Sequence, residues 1–312
     1  MSKSDPGSGG QAAPDVFSAC HPVVNMLYFS LVMAFAMFLM HPVCLAVSLA
    51  GALAYAIRLN GRKIMKTIFI FALPMLILTA LINPAFNHEG ATILRYLPSG
   101  NPLTLESVLY GAAAAAMLVA VVLWFACFNA VMTSDKFVYL FGRVIPALSL
   151  VLSMALRFVP RFRAQIMVVS AARRCVGRDV SNGSLLQRAR HGVRILSVMV
   201  TWALENAIET ADSMKARGYG LPGRTAFSIF RFDRRDFCLL AFILVCGAYI
   251  IGGAAAGGLY WRWFPTVRVL WGGALPVSLF AAHCALCALP VIFNLAEDRK
   301  WKTLRMPTES KT

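Results

Sequence analysis

The sequence predicts an all-α fold: a polytopic helical membrane protein with about six transmembrane helices and a large cytoplasmic helical segment between the fourth and the fifth. Hydrophobic residues make up 59% of its 312 residues and charged residues only 14%, whereas soluble domains carry about 25% charged residues. The charges are nearly absent from long runs and crowd between them, and a bilayer core needs about 20 consecutive apolar residues for each helix.

The first part of the chain predicts a disordered tail followed by four spans. Residues 1–20 begin with a stretch rich in Gly, Ser and Pro, typical of a disordered tail. Residues 23–57 carry no formal charge, but a single helix over them would be about 52 Å long, too long for one span. We therefore predict two spans that turn at His41-Pro42. Residues 67–86 and 107–132 predict the third and fourth spans, so that residues 21–134 form the first membrane region.

The remainder of the chain predicts a basic segment and two more spans. Residues 135–236 are strongly basic, and the apolar stretch 144–156 within them is too short to span comfortably. We expect this stretch to form a helix that lies at the membrane surface or leaves it. Residues 237–260 and 269–296 predict the fifth and sixth spans, and the polar residues 297–312 predict a cytoplasmic tail.

The distribution of cations predicts the orientation of the chain. With six spans, both termini lie on the same side of the membrane. Only Arg95, Arg262 and Arg268 of the 30 Lys and Arg residues then lie on the opposite side. Because cytoplasmic loops carry an excess of Lys and Arg, we predict a multi-pass protein of the cell membrane with both termini in the cytoplasm.

The sequence shows no motif for catalysis, for a cofactor or for nucleic acid. It contains no Walker A motif, no dinucleotide-binding glycine pattern and no His-Glu-x-x-His motif, nor any motif of a nucleic-acid-binding fold. Cys284 and Cys287 have the spacing of metal ligands, but structural zinc needs four, so we expect them to pack in a core. We predict a non-enzymatic chain that has no cofactor, no metal site and no nucleic-acid partner.

An amphipathic helix is predicted near the end of the basic segment. Apolar residues recur at helical spacing from residue 195, and Glu205, Glu209 and Asp212 form an acidic stripe. Gly218 ends the pattern. Arg217 therefore projects from a helix C-terminus, where one alternative is a solvated arginine that merely complements the helix dipole.

Four motifs together resemble the transmembrane T component of energy-coupling factor transporters. They are NPAFNHEG at residues 83–90, MTSDK at 132–136, LRFVPR at 156–161 and ADSMKARGYG at 211–220. The last contains the family's Ala-Arg-Gly signature, here Ala216-Arg217-Gly218. The resemblance runs from residue 21 to residue 220 and continues more weakly to the end of the chain.

The resemblance implies two coupling helices, each ending in a signature whose arginine enters a groove on one of two ATP-binding-cassette ATPase subunits. Arg217 matches the second signature directly. The first departs from the pattern, and before Gly177 either Arg174 or Arg173 is its equivalent. This departure suggests two non-identical ATPases. Three further residues are predicted to support the site, namely Pro160 as the route of motion to the spans and Glu209 and Asp212 on the helix that carries Arg217.

The resulting hypothesis is a non-enzymatic coupling subunit of a micronutrient importer. It implies a lipid bilayer, two ATPases and a substrate-binding integral membrane S subunit as partners, and a vitamin, a vitamin precursor or a metal ion as cargo. Residues 83–92 are similar to branches associated with thiamine-precursor import. One alternative is a self-sufficient secondary transporter, which would need acids buried in the spans. Another is an intramembrane enzyme, although only Glu106 and Asp135 flank a span.

Overall fold

The computed structural model describes two compact units, and each is described by itself. The described residues are 15–61, 66, 70, 72–96, 102–142, 145–177, 184–219, 221, 230–266, 268–269 and 273–305. We call the unit built from the N-terminal and C-terminal parts of the chain the membrane unit. We call the unit that begins at Ser134 and ends at Ile229 the polar unit.

The membrane unit contains six described helices and two short strand pairs. The helices are α1 Pro22–Phe38, α2 Pro42–Asn60, α3 Leu73–Phe86, α4 Leu105–Val131, α8 Arg234–Ala255 and α9 Ala274–Arg305. The strands are β1 Ile93–Tyr96, β2 Pro102–Thr104, β3 Trp261–Arg262 and β4 Arg268–Val269, and both pairs are antiparallel. The polar unit contains α5 Ser134–Gly142, α6 Pro146–Cys175 and α7 Leu185–Ala216.

The helices of the membrane unit confirm an all-α polytopic membrane protein. Four helical stretches are long and apolar enough to cross a bilayer, and they are Pro42–Leu59, Leu105–Val131, Arg234–Ala255 and Ala274–Lys300. The helices α1 and α3 are apolar but shorter. The number of spans, about six, stays a prediction. Helices α1 and α2 separate at residues 39–41, the position at which the sequence predicts a turn, and His41 and Pro42 begin α2.

An aromatic cluster holds α1, α2 and α4 together. Phe17, Tyr28, Phe29, Tyr55 and Trp124 are fully buried, and their rings meet mostly edge to face, as between Phe17 and Tyr28 at 5.0 Å. Such pairs contribute roughly 0.5–1.5 kcal/mol beyond the area they bury. The polar atoms of the cluster are satisfied: Tyr28 Oη donates to the carbonyl of Leu286 on α9 at 3.1 Å.

The chain ahead of α1 differs from the prediction of a disordered tail at residues 15–20. Phe17 is buried in the aromatic cluster, and Asp15 accepts a hydrogen bond from Tyr55 Oη at 2.8 Å. The backbone N–H of Val16 donates to Asn294 Oδ1 at 2.8 Å. Residues 1–14 lie outside the described residues.

The loop that connects the predicted third and fourth spans contains the β1–β2 hairpin. Glu106, in the first turn of α4, is buried and accepts hydrogen bonds from the Thr92 hydroxyl at 2.9 Å and the Thr92 N–H at 3.2 Å. Gly90 lies against this pair, because a Cβ there would be 2.6 Å from a Glu106 oxygen. Glu106 is therefore a structural residue that anchors the loop to the helix.

Two helices extend beyond their predicted limits. The stretch 144–156, predicted as a helix that lies at the membrane surface or leaves it, is described from Ile145 onward and belongs to α6, which continues to Cys175. Its position relative to a bilayer stays a prediction. Likewise α9 continues through the predicted polar tail to Arg305, where Arg58 on α2 forms an ion pair with Asp298. Residues 306–312 lie outside the described residues.

Candidate functional site

Helices α6 and α7 form an antiparallel helical hairpin in the polar unit. The rings of Phe162 on α6 and Trp202 on α7 meet edge to face at 5.4 Å, and the Arg161 guanidinium lies 5.8 Å from the centre of the Trp202 ring. Residue 173, which follows Phe162 on α6, and residue 194, which precedes Trp202 on α7, line the same cavity. The two helices therefore run in opposite directions. We call this pair of helices the coupling hairpin.

The predicted supporting residues lie on the two arms of the coupling hairpin. Pro160 is inside α6 and exposed, half a turn before the crossing at Phe162. Glu209 and Asp212 are exposed on α7, as is Glu205. The predicted acidic stripe is therefore a solvent-facing stripe, while Ile195 and Met199 on the same helix are buried.

The C-terminus of α7 ends in a Schellman motif that fixes Arg217. The N–H of Gly218 donates to the Lys215 carbonyl at 3.0 Å, and the N–H of Tyr219 donates to the Met214 carbonyl at 3.0 Å. Gly218 has φ +76°, a left-handed conformation that glycine adopts without the steric cost a Cβ would bring. Arg217 is the cap residue, and its side chain is exposed. The motif thus holds a permanent positive charge at the tip of a 32-residue helix.

The C-terminus of α6 shares the left-handed glycine of this cap but has a different residue at its tip. Gly177 has φ +71°, and its N–H donates to the Arg174 carbonyl at 2.9 Å. The cap residue, in the position that Arg217 occupies on α7, is Val176. Arg174 lies two residues earlier and is equivalent by backbone position to Lys215. Arg174 or Arg173 as the equivalent of the first signature's arginine stays a prediction; by backbone position, the counterpart of Arg217 is Val176.

A cavity of about 610 Å³ opens beside the end of α6. Of the residues that the structure describes, four line it, and they are Ala172, Arg173, Val176 and Arg194. The Nε–H of Arg173 is buried, and no residue in the described part of the chain accepts a hydrogen bond from it. Arg174 is exposed. The structure therefore places the two candidates for the first signature differently, since Arg173 lines the cavity and Arg174 faces solvent.

The two cysteines that have the spacing of metal ligands lie on α9 in the membrane unit. His283 and Cys287 on α9 are buried, with His283 Nε2 3.6 Å from Cys287 Sγ, whereas Cys284 is exposed. Among the described residues, no group of three or more His, Cys, Asp or Glu side chains could hold a metal ion. The coupling hairpin, with its two capped and cationic ends, is the candidate site.

The fold and the coupling hairpin define a class of protein: an all-α, polytopic membrane protein with a basic helical hairpin that lies, in the sequence, between its apolar helices α4 and α8. Among relatives of this chain, the energy-coupling factor transporter transmembrane protein EcfT of Lactobacillus helveticus is 36% identical over 109 residues, which are 34% of this chain and 39% of the relative. The proteins of the same name from Lacticaseibacillus paracasei and Bacillus selenitireducens are 36% and 33% identical over 102 and 112 residues, or 32% and 36% of this chain and 39% and 42% of the relatives.

These similarities confirm the resemblance to the T component of energy-coupling factor transporters that the sequence motifs indicate. The matched region spans about two fifths of the length of these relatives. No family model matches the chain.

Proposed function

We propose that this chain is the membrane-embedded coupling and scaffold subunit of an ATP-driven importer of the energy-coupling factor type. In this role the chain hydrolyses no ATP itself. Two ATP-binding-cassette subunits supply the energy, and a substrate-binding integral membrane subunit holds a vitamin, a vitamin precursor or a metal ion. The similarity to relatives named as energy-coupling factor transmembrane proteins supports this assignment.

The observation that carries the proposal is the presentation of Arg217. A Schellman motif fixes the backbone on both sides of it, and its side chain is exposed. A guanidinium is charged at every physiological pH and binds a carboxylate through two parallel hydrogen bonds. A structural helix cap would need only the glycine. An arginine held at this point is suited to enter a groove on a partner.

The hairpin geometry suggests how work passes through the chain. Two ATPase subunits that close on ATP would draw the two hairpin ends together, and the ends are connected through the aromatic crossing at Phe162 and Trp202. Long helices transmit such displacements with little loss, because packed elements shift as rigid bodies. We propose that Pro160, just before the crossing on α6, is where the motion passes towards the spans.

The proposal places the chain in the cell membrane with the coupling hairpin and both termini on the cytoplasmic side, where ATP is available. The excess of cations in the polar unit supports this orientation. The lipid bilayer contacts the exposed apolar faces of the membrane unit, such as those of Leu244 and Val245 on α8. Cargo selectivity belongs to the S subunit, so the chain itself needs no substrate pocket.

The test is charge reversal at Arg217. Arg217→Glu, expressed in the native host with an affinity tag, is expected to weaken association with the ATPase subunits roughly thirtyfold or more, since breaking one buried interfacial charge pair costs about 2–5 kcal/mol. Uptake of the cargo should fall in parallel, while the amount of chain in the membrane stays unchanged. Arg163→Glu is the matched control, because Arg163 is also an exposed arginine but lies within the α6 arm.

The readouts are the nucleotide-binding subunits recovered with the tagged chain, identified by mass spectrometry, and their ATPase activity. Wild-type association and uptake in Arg217→Glu would count decisively against the proposal. Cargo uptake by the purified chain alone in liposomes, without ATPases, would instead support a secondary transporter.

A further inference from the structure

The chain passes between the membrane unit and the polar unit at two places, and the two connections differ in length. Helix α4 ends at Val131 and α5 begins at Ser134. Only Met132 and Thr133 separate these two helices, whereas residues 217–229 connect α7 back to the membrane unit. The long connection can reach roughly 45 Å and the short one only roughly 10 Å. A displacement of α5 is therefore passed to α4 more directly than a displacement of α7 is passed to α8.

The long connection ends in a buried anchor at the start of α8. Asp236, in the first turn of α8, is only 2% exposed. One oxygen of its carboxylate accepts from the N–H of His21 at 3.3 Å, and the other accepts from the N–H of Asp233 at 3.3 Å. The imidazole of His21 lies edge to face against the ring of Phe232 at 5.0 Å. Because His21 is the N-cap of α1, these contacts fix the start of α8 to the start of α1.

Further contacts hold α8 to its neighbours in the membrane unit. The guanidinium of Arg235 lies 5.7 Å from the centre of the Phe293 ring on α9. Midway along α8, Gly247 lies so close to α1 that a Cβ there would be 2.7 Å from Leu31 Cδ2. Packed elements shift as rigid bodies rather than deforming continuously. Helix α8 is therefore expected to stay with α1 when the polar unit moves.

Helix α4 is placed to pass a displacement on to other helices. It packs against α1, α2 and α3. Trp124 of α4 is fully buried, and its Nε1–H donates to Ser48 Oγ on α2 at 3.0 Å. Cys127 and Val131 are also buried, so α4 remains packed as far as its last turn. A displacement that reaches Val131 thus acts on a helix that contacts three others.

We propose that the coupling hairpin moves the membrane unit through α4, across the connection at Met132 and Thr133, while the anchor of Asp236 and His21 keeps α8 in place. The inference rests on the coupling function proposed above and adds the route by which motion leaves the polar unit. Helices α1 and α8 are the stationary part, and α4 is the part that moves against them. Asp236 and His21 are positioning residues, since they act by holding α8.

Distances between spin labels within the membrane unit test the inference. Phe125→Cys on α4 and Val23→Cys on α1 are each paired with Phe237→Cys on α8. All three residues are exposed, and the native cysteines that are not buried are replaced. In the complex purified with its ATPases, binding of a non-hydrolysable ATP analogue is expected to shift the distance from α4 to α8 by roughly 2 Å or more. The matched distance from α1 to α8 should stay unchanged.

The outcomes separate this inference from the coupling function. If the ATPases bind and uptake is normal, a shift of the distance from α1 to α8 overturns the inference and leaves the coupling function standing. A constant distance from α4 to α8 in the same complex has the same meaning. If the ATPases do not associate with the chain at all, the coupling function fails and the inference fails with it.

Substitution of Asp236 tests the anchor itself. Asp236→Ala removes both acceptor oxygens, so the start of α8 should be free to follow the polar unit. The distance from α1 to α8 should then change with nucleotide, and amide hydrogen exchange at residues 233–237 should become roughly tenfold faster, because hydrogen bonds to a charged group are lost. Asp236→Asn keeps one acceptor oxygen and should preserve most of the wild-type behaviour. A nucleotide-independent distance in Asp236→Ala overturns the role of Asp236.

Insertions in the two connections provide a functional readout. A Gly-Ser-Gly-Gly insertion after Thr133 lengthens the short connection. The same insertion after Gly223, which lies outside the described residues, lengthens the long one and is the matched control. The first insertion is expected to abolish uptake while the ATPases still associate and hydrolyse ATP, and the second should leave uptake unchanged. Wild-type uptake with the first insertion, or loss of uptake with the second, overturns the proposed route.

Discussion

At the scale of single residues, the conformation of Gly218 decides how Arg217 is presented. Its φ of +76° lies in the left-handed region, which costs a residue with a Cβ roughly 1–2 kcal/mol. A Cβ at this position would also lie 3.1 Å from Leu221 Cδ1. Gly218→Ala is therefore expected to fray the cap and to weaken association with the ATPases about fivefold or more, because 1 kcal/mol corresponds to about a fivefold change. Amide hydrogen exchange at residues 217–219 should become faster.

Gly192 provides the matched control for this substitution. It lies inside α7, and a Cβ there would meet nothing within 4 Å. Gly192→Ala is expected to stabilise the helix by roughly 0.5–1 kcal/mol and to slow exchange around it. Equal exchange rates at residues 217–219 in Gly218→Ala and the wild type would show that the cap does not hold Arg217.

The ends of α6 and α7 show which parts of the candidate site can be predicted from residue types alone and which cannot. Arg217 could be identified from the sequence, because glycine and proline mark the helix end just behind it. The tip of α6 could not be identified by searching for an arginine, since Val176 occupies that position. The two helix ends are equivalent in backbone conformation, because Gly177 and Gly218 both have a left-handed φ. The buried Nε–H of Arg173 depends on side-chain packing between two helices and has no signal in the sequence.

At the scale of elements, the crossing of α6 and α7 joins the two arms of the hairpin through Trp202. Trp202 contributes an edge-to-face contact with Phe162 and a contact with the Arg161 guanidinium, together worth roughly 2 kcal/mol. Trp202→Ala is expected to loosen the crossing, so that the ATPases still bind each end but their ATP hydrolysis no longer drives uptake. Trp202→Phe keeps an aromatic ring and should preserve most of the coupling.

The distance between spin labels at the two ends of the hairpin reports directly how firmly the crossing of α6 and α7 holds the two arms. Labels at Cys175 and at Tyr219→Cys, with the other cysteines replaced, should give a broader distance distribution in Trp202→Ala than in Trp202→Phe. Equal distributions together with normal uptake would contradict a role for the crossing in transmission.

Helix type was more predictable than helix extent. The long apolar runs identified α4 and α8 because composition alone distinguishes a span. The sequence predicts a helix at 144–156 that lies at the membrane surface or leaves it, and this helix continues as α6 through Pro160 to Cys175. A proline removes one backbone hydrogen bond but does not end a helix that neighbouring contacts support. The β1–β2 hairpin was missed because its stability depends on Glu106, a residue from the adjacent helix.

At the scale of the whole molecule, the distribution of charge carries the proposed orientation. In the six-span topology predicted from the sequence, Arg95, Arg262 and Arg268 lie on one side and the other 27 of the 30 cations lie on the side of the termini. Moving so many cations across the bilayer would be strongly unfavourable, and short basic loops such as that after α2 orient membrane proteins during insertion. The proposed function depends on this orientation, because ATPases bind only on the cytoplasmic side.

Native cysteine chemistry measures the orientation. Cys175 is an exposed free cysteine at the end of α6, within the coupling hairpin. A membrane-impermeant maleimide is expected to label it in inverted membrane vesicles and to leave it unlabelled in intact cells. Glu89→Cys in a Cys175→Ser background is the matched control: position 89 is exposed in the loop between α3 and α4, and it should react in intact cells. Labelling of Cys175 in intact cells would place the hairpin outside, beyond the reach of any ATPase, because an impermeant reagent cannot cross the bilayer to reach a cytoplasmic thiol.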